Sequence, residues 1–192
     1  METLEAITAR RSIRKFTDRP VTEEDVNAVL AAAVLAPSGK NRQPWRFVVV
    51  AGDDKRAQMI RVMRQGIAER KAQGMEPGSA IMTARVMEGA PVTIFVFNPQ
   101  GAHPWVSHSI EQTLMETVDT QSIGAAIQNM LLTAQGMGLG TLWMCDVWSA
   151  YRGLEEWLGE SGQLIAAVAL GYPDEQPAAR PRRPLSEVVR WF

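Results

Sequence analysis

"APSGKNRQPWRFVVV", residues 36–50, is the stretch from which the fold is read. A helical run stops at Pro37, because proline lacks a backbone donor and biases the residue before it away from helix. A polar loop follows to Gln43. Pro44 and Trp45 then lead at once into Phe47–Val50, an aromatic and β-branched run that reads as a strand. A loop that only connects two elements seldom spends two prolines, an asparagine, a glutamine and a tryptophan within nine residues. Its composition asks what it holds.

Toward the N-terminus, "TEEDVNAVLAAAVLAP" predicts a helix capped by Thr22, with acidic residues in its first turn. Val26, Val29, Leu30, Ala33 and Val34 repeat on its apolar face. "TLEAITARRS" predicts a shorter helix with Thr3 as N-cap and Leu4 and Ile7 on one face. Toward the C-terminus, residues 53–74 read as a helix striped by Met59, Ile60, Met63 and Ile67 and stopped at Gly74. A further helical piece spans 79–87, before the buried strand "APVTIFVFNP".

Residues 98–118 lack clean periodicity and read mostly as loop. Asp119 then caps a central helix whose face carries Ile123, Ala126, Ile127, Met130, Leu131 and Ala134. "TLWMCDV" and "QLIAAVALGYP" read as strands on either side of the short helix "YRGLEEWLG". Two helices precede the first strand, which favours a mixed sheet covered on both faces over a doubly wound one. The glycine run "GMGLG" follows a helix and precedes a strand, the reverse of the order that seats a phosphate on a helix N-terminus.

The chain has 192 residues, 46% of them hydrophobic, which suits one domain over residues 1–192. A net charge of −1 gives no field for nucleic acid or an acidic membrane. Sixteen arginines stand against four lysines, clustered at Arg10, Arg11, Arg14 and Arg19 and at Arg180, Arg182, Arg183 and Arg190. The planar fork of arginine suits phosphate and carboxylate, so this bias points to anion binding, with solvated surface charge as the plainer alternative. A single cysteine, no leader-like apolar segment and no membrane-length run predict a soluble protein of a reducing compartment, the cytoplasm.

"RRSIRKF" (10–16), "PSGKNRQPWRF" (37–47), "GLGTLWM" (138–144) and "LGYPDE…RPRRPLSEVV" (170–189) together resemble the FMN-dependent nitroreductase family, in its order and over nearly the whole chain. The resemblance implies an α+β fold: a three-layer α/β/α sandwich with a mixed central sheet, in an intertwined homodimer whose tail, 174–192, reaches the partner subunit. It implies FMN as cofactor and NADH or NADPH as donor. Electrons would pass by ping-pong hydride transfer through flavin N5 to small nitroaromatic or quinone-like acceptors. Relatives on the same scaffold dehalogenate, oxidise heterocycles or break down flavin, and a low-turnover flavin carrier or sensor stays open as well.

On that resemblance Arg10 and Ser12 meet the phosphate or ribityl end, Arg14 reaches the flavin N1 and O2 edge, and Arg11 is a further cofactor-binding candidate. Read without it, the same arginines answer the macrodipole at a helix C-terminus. The resemblance further assigns Pro37, Ser38, Gly39 and Asn41 to the flavin of the other subunit, with Gln43 bracing the loop. Thr141, Leu142 and Trp143 pass the ring, and Arg180 and Arg182 lie near the phosphate. The flavin carries the chemistry, so no catalytic side chain is required. Trp105, with His103, is the candidate wall of the substrate pocket; a tryptophan packed on the central helix is the alternative. His103 and His108 lack partners at ligand spacing, so no metal site is expected, and Cys145 reads as buried packing.

Overall fold

The computed structural model describes residues 2–192. Its elements run α1 (Thr3–Ala9), α2 (Glu23–Ala33), β1 (Arg46–Ala51), α3 (Asp53–Ala72), α4 (Ala80–Gly89), β2 (Val92–Asn98) and α5 (Ile110–Gly136). They continue with β3 (Gly140–Met144), α6 (Tyr151–Leu158), β4 (Gln163–Gly171) and the single turn α7 (Leu185–Val188). Short 3-10 turns occupy Gly39–Asn41 and Asp146–Ala150. Thr22 caps α2 as expected, in a reciprocal capping box with Asp25. Thr3 is instead the first helical residue of α1, behind Glu2.

The sheet order is β1-β2-β4-β3, and each neighbouring pair is antiparallel. The connections explain this. Two helices between β1 and β2 bring the chain back reversed, whereas the single α5 restores direction, so β3 runs the same way as β2. The last strand made, β4, then inserts between those two. The mixed character expected of the sheet is therefore confined to one parallel bridge, Ser12 to Thr141, at the β3 edge.

Both inner strands are buried, and alternation along them feeds two cores. Phe95 and Phe97 of β2 and Ala167 and Ala169 of β4 face α3, α4 and α6 with Met59, Met63 and Leu154. Val92, Ile94 and Val96, with Ala166, Val168 and Leu170, face α2 and α5 with Val29, Ile123, Ile127 and Met130. Each of these large side chains contributes about 1.5–3 kcal/mol through burial. Helices cover both sheet faces, giving three layers.

The central helix differs from its sequence reading at its start. It begins at Ile110, where Ser109 and Gln112 form a capping box, and runs for 27 residues, about 40 Å. Asp119 is thus no cap but an interior residue, 2% exposed. Ile110 and Leu114 face outward from the first turns, so no buried stripe marks this extension in the sequence. Cys145 also departs from expectation. It follows the end of β3 and is exposed, with its thiol held above its ordinary value by desolvation and by Asp146. That disfavours the thiolate and leaves it a poor nucleophile.

Candidate functional site

The segment after α1 is extended and lies along the β3 edge. Ile13 donates its N–H to the Thr141 carbonyl at 2.9 Å and buries its side chain against Gly140, where a Cβ would come within 2.9 Å of it. Thr17 donates to Tyr172, and Asp174 donates to Lys15, so the chain leaving β4 is laced to the same segment. With Ile13 pinned inward, alternation turns Ser12 and Arg14 toward the open side. The Arg14 guanidinium donates to the Ser12 carbonyl at 3.1 Å, while its backbone N–H donates to the Glu175 carboxylate.

Arg10 stands at the C-cap of α1. Burial, then repulsion from Arg182 and Arg11, lowers its pKa. Among the described residues none of Arg10, Arg11, Arg14, Arg180 and Arg182 is in a salt bridge. Like charges gathered without side-chain counterions fit a multiply charged anion, and a terminal phosphate matches that donor set. The structure therefore brings Arg10, Arg11, Ser12, Thr141 and Arg182 to one edge of the sheet, with Arg14 beside them. Arg180 is exposed, its carbonyl accepting from Arg182. Leu142 is buried, and Trp143 is partly open.

The loop at 37–43 forms a second group, seated on the middle of α5. Lys40, Asn41 and Gln43 all have positive φ, at 54°, 55° and 49°. Left-handed backbone costs about 1–2 kcal/mol for each residue with a side chain, with asparagine the most tolerant. Such strain persists only where neighbours impose it. Gly39 donates to the Ser122 hydroxyl at 3.3 Å, and Gln43 donates its N–H to the Ser38 hydroxyl at 3.0 Å. A Cβ on Gly39 would fall 2.4 Å from Val118, so only glycine lets the loop this close. Arg42 donates from Nε and Nη2 to the two carboxylate oxygens of Asp119, both at 3.2 Å. Pro37, Lys40, Asn41 and Gln43 stay exposed. No hydrogen bond or ion pair among the described residues joins this loop to the arginine group.

A third group gathers around Trp105. Its ring lies 4.3 Å from His103 and 5.0 Å from Tyr151, with the Arg152 guanidinium 5.5 Å above it. Trp105 thus packs toward α6 and not on the central helix. It borders a cleft of about 780 Å³ between α3 and the 148–157 segment, which also carries Trp148 and Trp157. His103 lies 3.5 Å from Glu155, whose pKa is raised by burial against the lowering pull of His103 and Arg152. His108 contacts Glu116 at 2.8 Å. Both histidines therefore have carboxylate partners that the sequence spacing hid. No group of three metal-binding side chains occurs among the described residues. Sequence reasoning also passed over Arg42 and Ser122. The first stood in plain view inside the loop, and the second gave no signal.

Residues 7–172 match the model of the Nitroreductase family. An Archaeoglobus fulgidus protein, provisionally named NADH dehydrogenase/NAD(P)H nitroreductase, is 31% identical over 91% of this chain and 87% of its own. The 5,6-dimethylbenzimidazole synthase of Rhodospirillum rubrum is 31% identical over 87% of this chain and 80% of its own. A Desulfovibrio desulfuricans protein solved in complex with FMN superposes with a TM-score of 0.76 at 32% identity, over 100% of this chain and 97% of its own.

Proposed function

The chain belongs to the nitroreductase family, and from that premise we propose that it is an NAD(P)H-dependent FMN oxidoreductase whose site is shared between two copies of the chain. The observation that carries this reading is the arginine group at the β3 edge, none of whose guanidinium groups is in a salt bridge among the described residues. Arg10, Arg11 and Arg182 would take the cofactor phosphate, and Ser12 the phosphate or ribityl oxygens. Arg14 would stand at the pyrimidine edge, where a cation favours an anionic reduced ring. Backbone at Thr141–Trp143 would line one face. When bound, FMN supplies two-electron carriage between a nicotinamide and an acceptor, and the protein supplies position and field.

Within one chain no hydrogen bond or ion pair among the described residues joins the exposed loop 37–43 to this group, which supports its serving the site of a second copy. The exposed tail supports the same reading: Leu185, Val188 and Val189 are open, and Trp191 is 93% exposed. Leaving that apolar area in water costs about 25 cal/mol per Å². Nitroaromatics and quinones are the acceptors we assign, with the Trp105 loop as the wall that selects among them. An unpaired cysteine agrees with the cytoplasm as its compartment. No helix among the described residues is long and apolar enough to cross a membrane.

A second reading, a flavoenzyme dedicated to one substrate, is favoured by the equal identity to the dimethylbenzimidazole synthase. Identification of the flavin released on denaturation tests the cofactor, and FAD or no flavin refutes the assignment. Anaerobic mixing with NADH or NADPH, then with nitroarenes or quinones, tests the reaction. Bleaching by a nicotinamide and recovery by these acceptors is expected. A bound FMN that neither nicotinamide reduces would favour the second reading.

A further inference from the structure

Arg42 has no part in the assignments above, yet it makes the most connected contact in its region. Its guanidinium reaches three oxygens at once: both of Asp119, at 3.2 Å, and Oε1 of Gln100, at 2.6 Å. Asp119 lies on the interior face of α5 and accepts from no other side chain among the described residues. A carboxylate so buried is tolerated only when paired and hydrogen-bonded. On the backbone, Arg42 has an ordinary φ of −69°, but it is flanked by Asn41 and Gln43 in the left-handed region. Gln100 belongs to a different loop, the one that continues to His103 and Trp105.

We propose that Arg42, clamped by Asp119, is the positioning residue of the cofactor loop, and that through Gln100 it ties this loop to the Trp105 loop. The proposal rests on the reading of residues 37–43 as the cofactor loop. Among the described residues the strained turn has two side-chain hydrogen-bond fasteners to α5. One is the Ser122 hydroxyl under Gly39, and the other is the Arg42–Asp119 pair, one helical turn away along α5. The first holds where the turn begins and the second where it ends. Releasing the second lets Asn41 and Gln43 relax toward negative φ, which withdraws the polar groups the loop presents. The same release frees the Gln100 side chain, while its backbone N–H still donates to Asn98 Oδ1 at 3.1 Å.

A single and a double variant of this chain together separate positioning from mere stability. Arg42→Ala alone leaves a buried carboxylate unpaired, so it should lower both the urea midpoint and the affinity for FMN. Arg42→Ala with Asp119→Asn removes the stranded charge. Its urea midpoint should recover most of the loss, while the FMN dissociation constant from equilibrium dialysis stays about tenfold or more above wild type. Arg42→Lys should not restore affinity, because an ammonium cannot span two carboxylate oxygens and a glutamine. Amide exchange over residues 99–105 should rise in the double variant. A double variant that binds FMN like wild type overturns the positioning role, and unchanged exchange at 99–105 overturns the tie between loops. Wild-type protein that binds no FMN refutes the cofactor reading itself, an outcome distinct from both.

Discussion

Arg14 and Tyr151 carry the sharpest consequences of single side chains. The Arg14 guanidinium is exposed and in no salt bridge among the described residues, so its charge remains for a ligand. Arg14→Ala should weaken FMN binding and move the flavin midpoint potential negative, because a nearby cation stabilises the reduced anion. Spectroelectrochemistry on the FMN-loaded variant checks the shift, and an unchanged potential removes Arg14 from this role. Tyr151 ties α6 to β4, accepting from the Leu164 N–H at 2.9 Å and donating to the Gly162 carbonyl at 3.0 Å. Tyr151→Phe should cost about 1–3 kcal/mol, since a buried N–H loses its acceptor. Burial pushes the Tyr151 phenol from an ordinary 10 up to about 12. A pKa raised in the folded state adds stability that is complete below pH 10 and is lost as pH climbs through 12. The gap between wild type and Tyr151→Phe should therefore narrow above pH 10 in urea titrations.

Among the elements, the 99–109 loop decides acceptor choice on the present reading. Its Trp105 ring packs near His103 and Tyr151 at the rim of a cleft whose lining includes none of the residues assigned to FMN. Trp105→Ala should change the ratio of kcat/KM between nitroarene and quinone acceptors and leave FMN content intact; equal loss on every acceptor would count against it. This loop and the helix after it mark where the sequence was legible and where it was not. The buried stripes of α2 and α3 and the apolar run of β2 declared themselves because burial and periodicity coincide there. The first turns of α5 did not. Ile110 is 77% exposed and Leu114 is open too, so their spacing signals no core, and the prolines at 99 and 104 mask the helix start. Asp119 looked like a cap because acidic residues favour helix starts. Its partner lies 77 positions away, a distance no local pattern reveals. The arginines of the site were readable by residue type, whereas their gathering against Arg182 depended on the path of the tail.

At the scale of the whole molecule, the tail and the sheet order govern behaviour. Residues 185–192 expose Leu185, Trp191 and Phe192 on a segment that leaves the body after Pro184. Deleting 185–192 should weaken self-association and FMN retention together, since one interface would serve both. Light scattering and visible absorbance of the truncated protein check this, and a truncated dimer that stays yellow would sever the link. The strand order has a consequence for biosynthesis. The final strand, β4, is also an inner one, flanked by β2 and β3 and feeding both cores. While a ribosome is still translating residue 163, β3 has no strand neighbour, β2 lacks one of its two, and both half-cores stand open to solvent. The nascent chain cannot lock in pieces. It must wait for its last strand, so a premature stop codon before Gln163 should leave a protease-sensitive polypeptide instead of a smaller native domain.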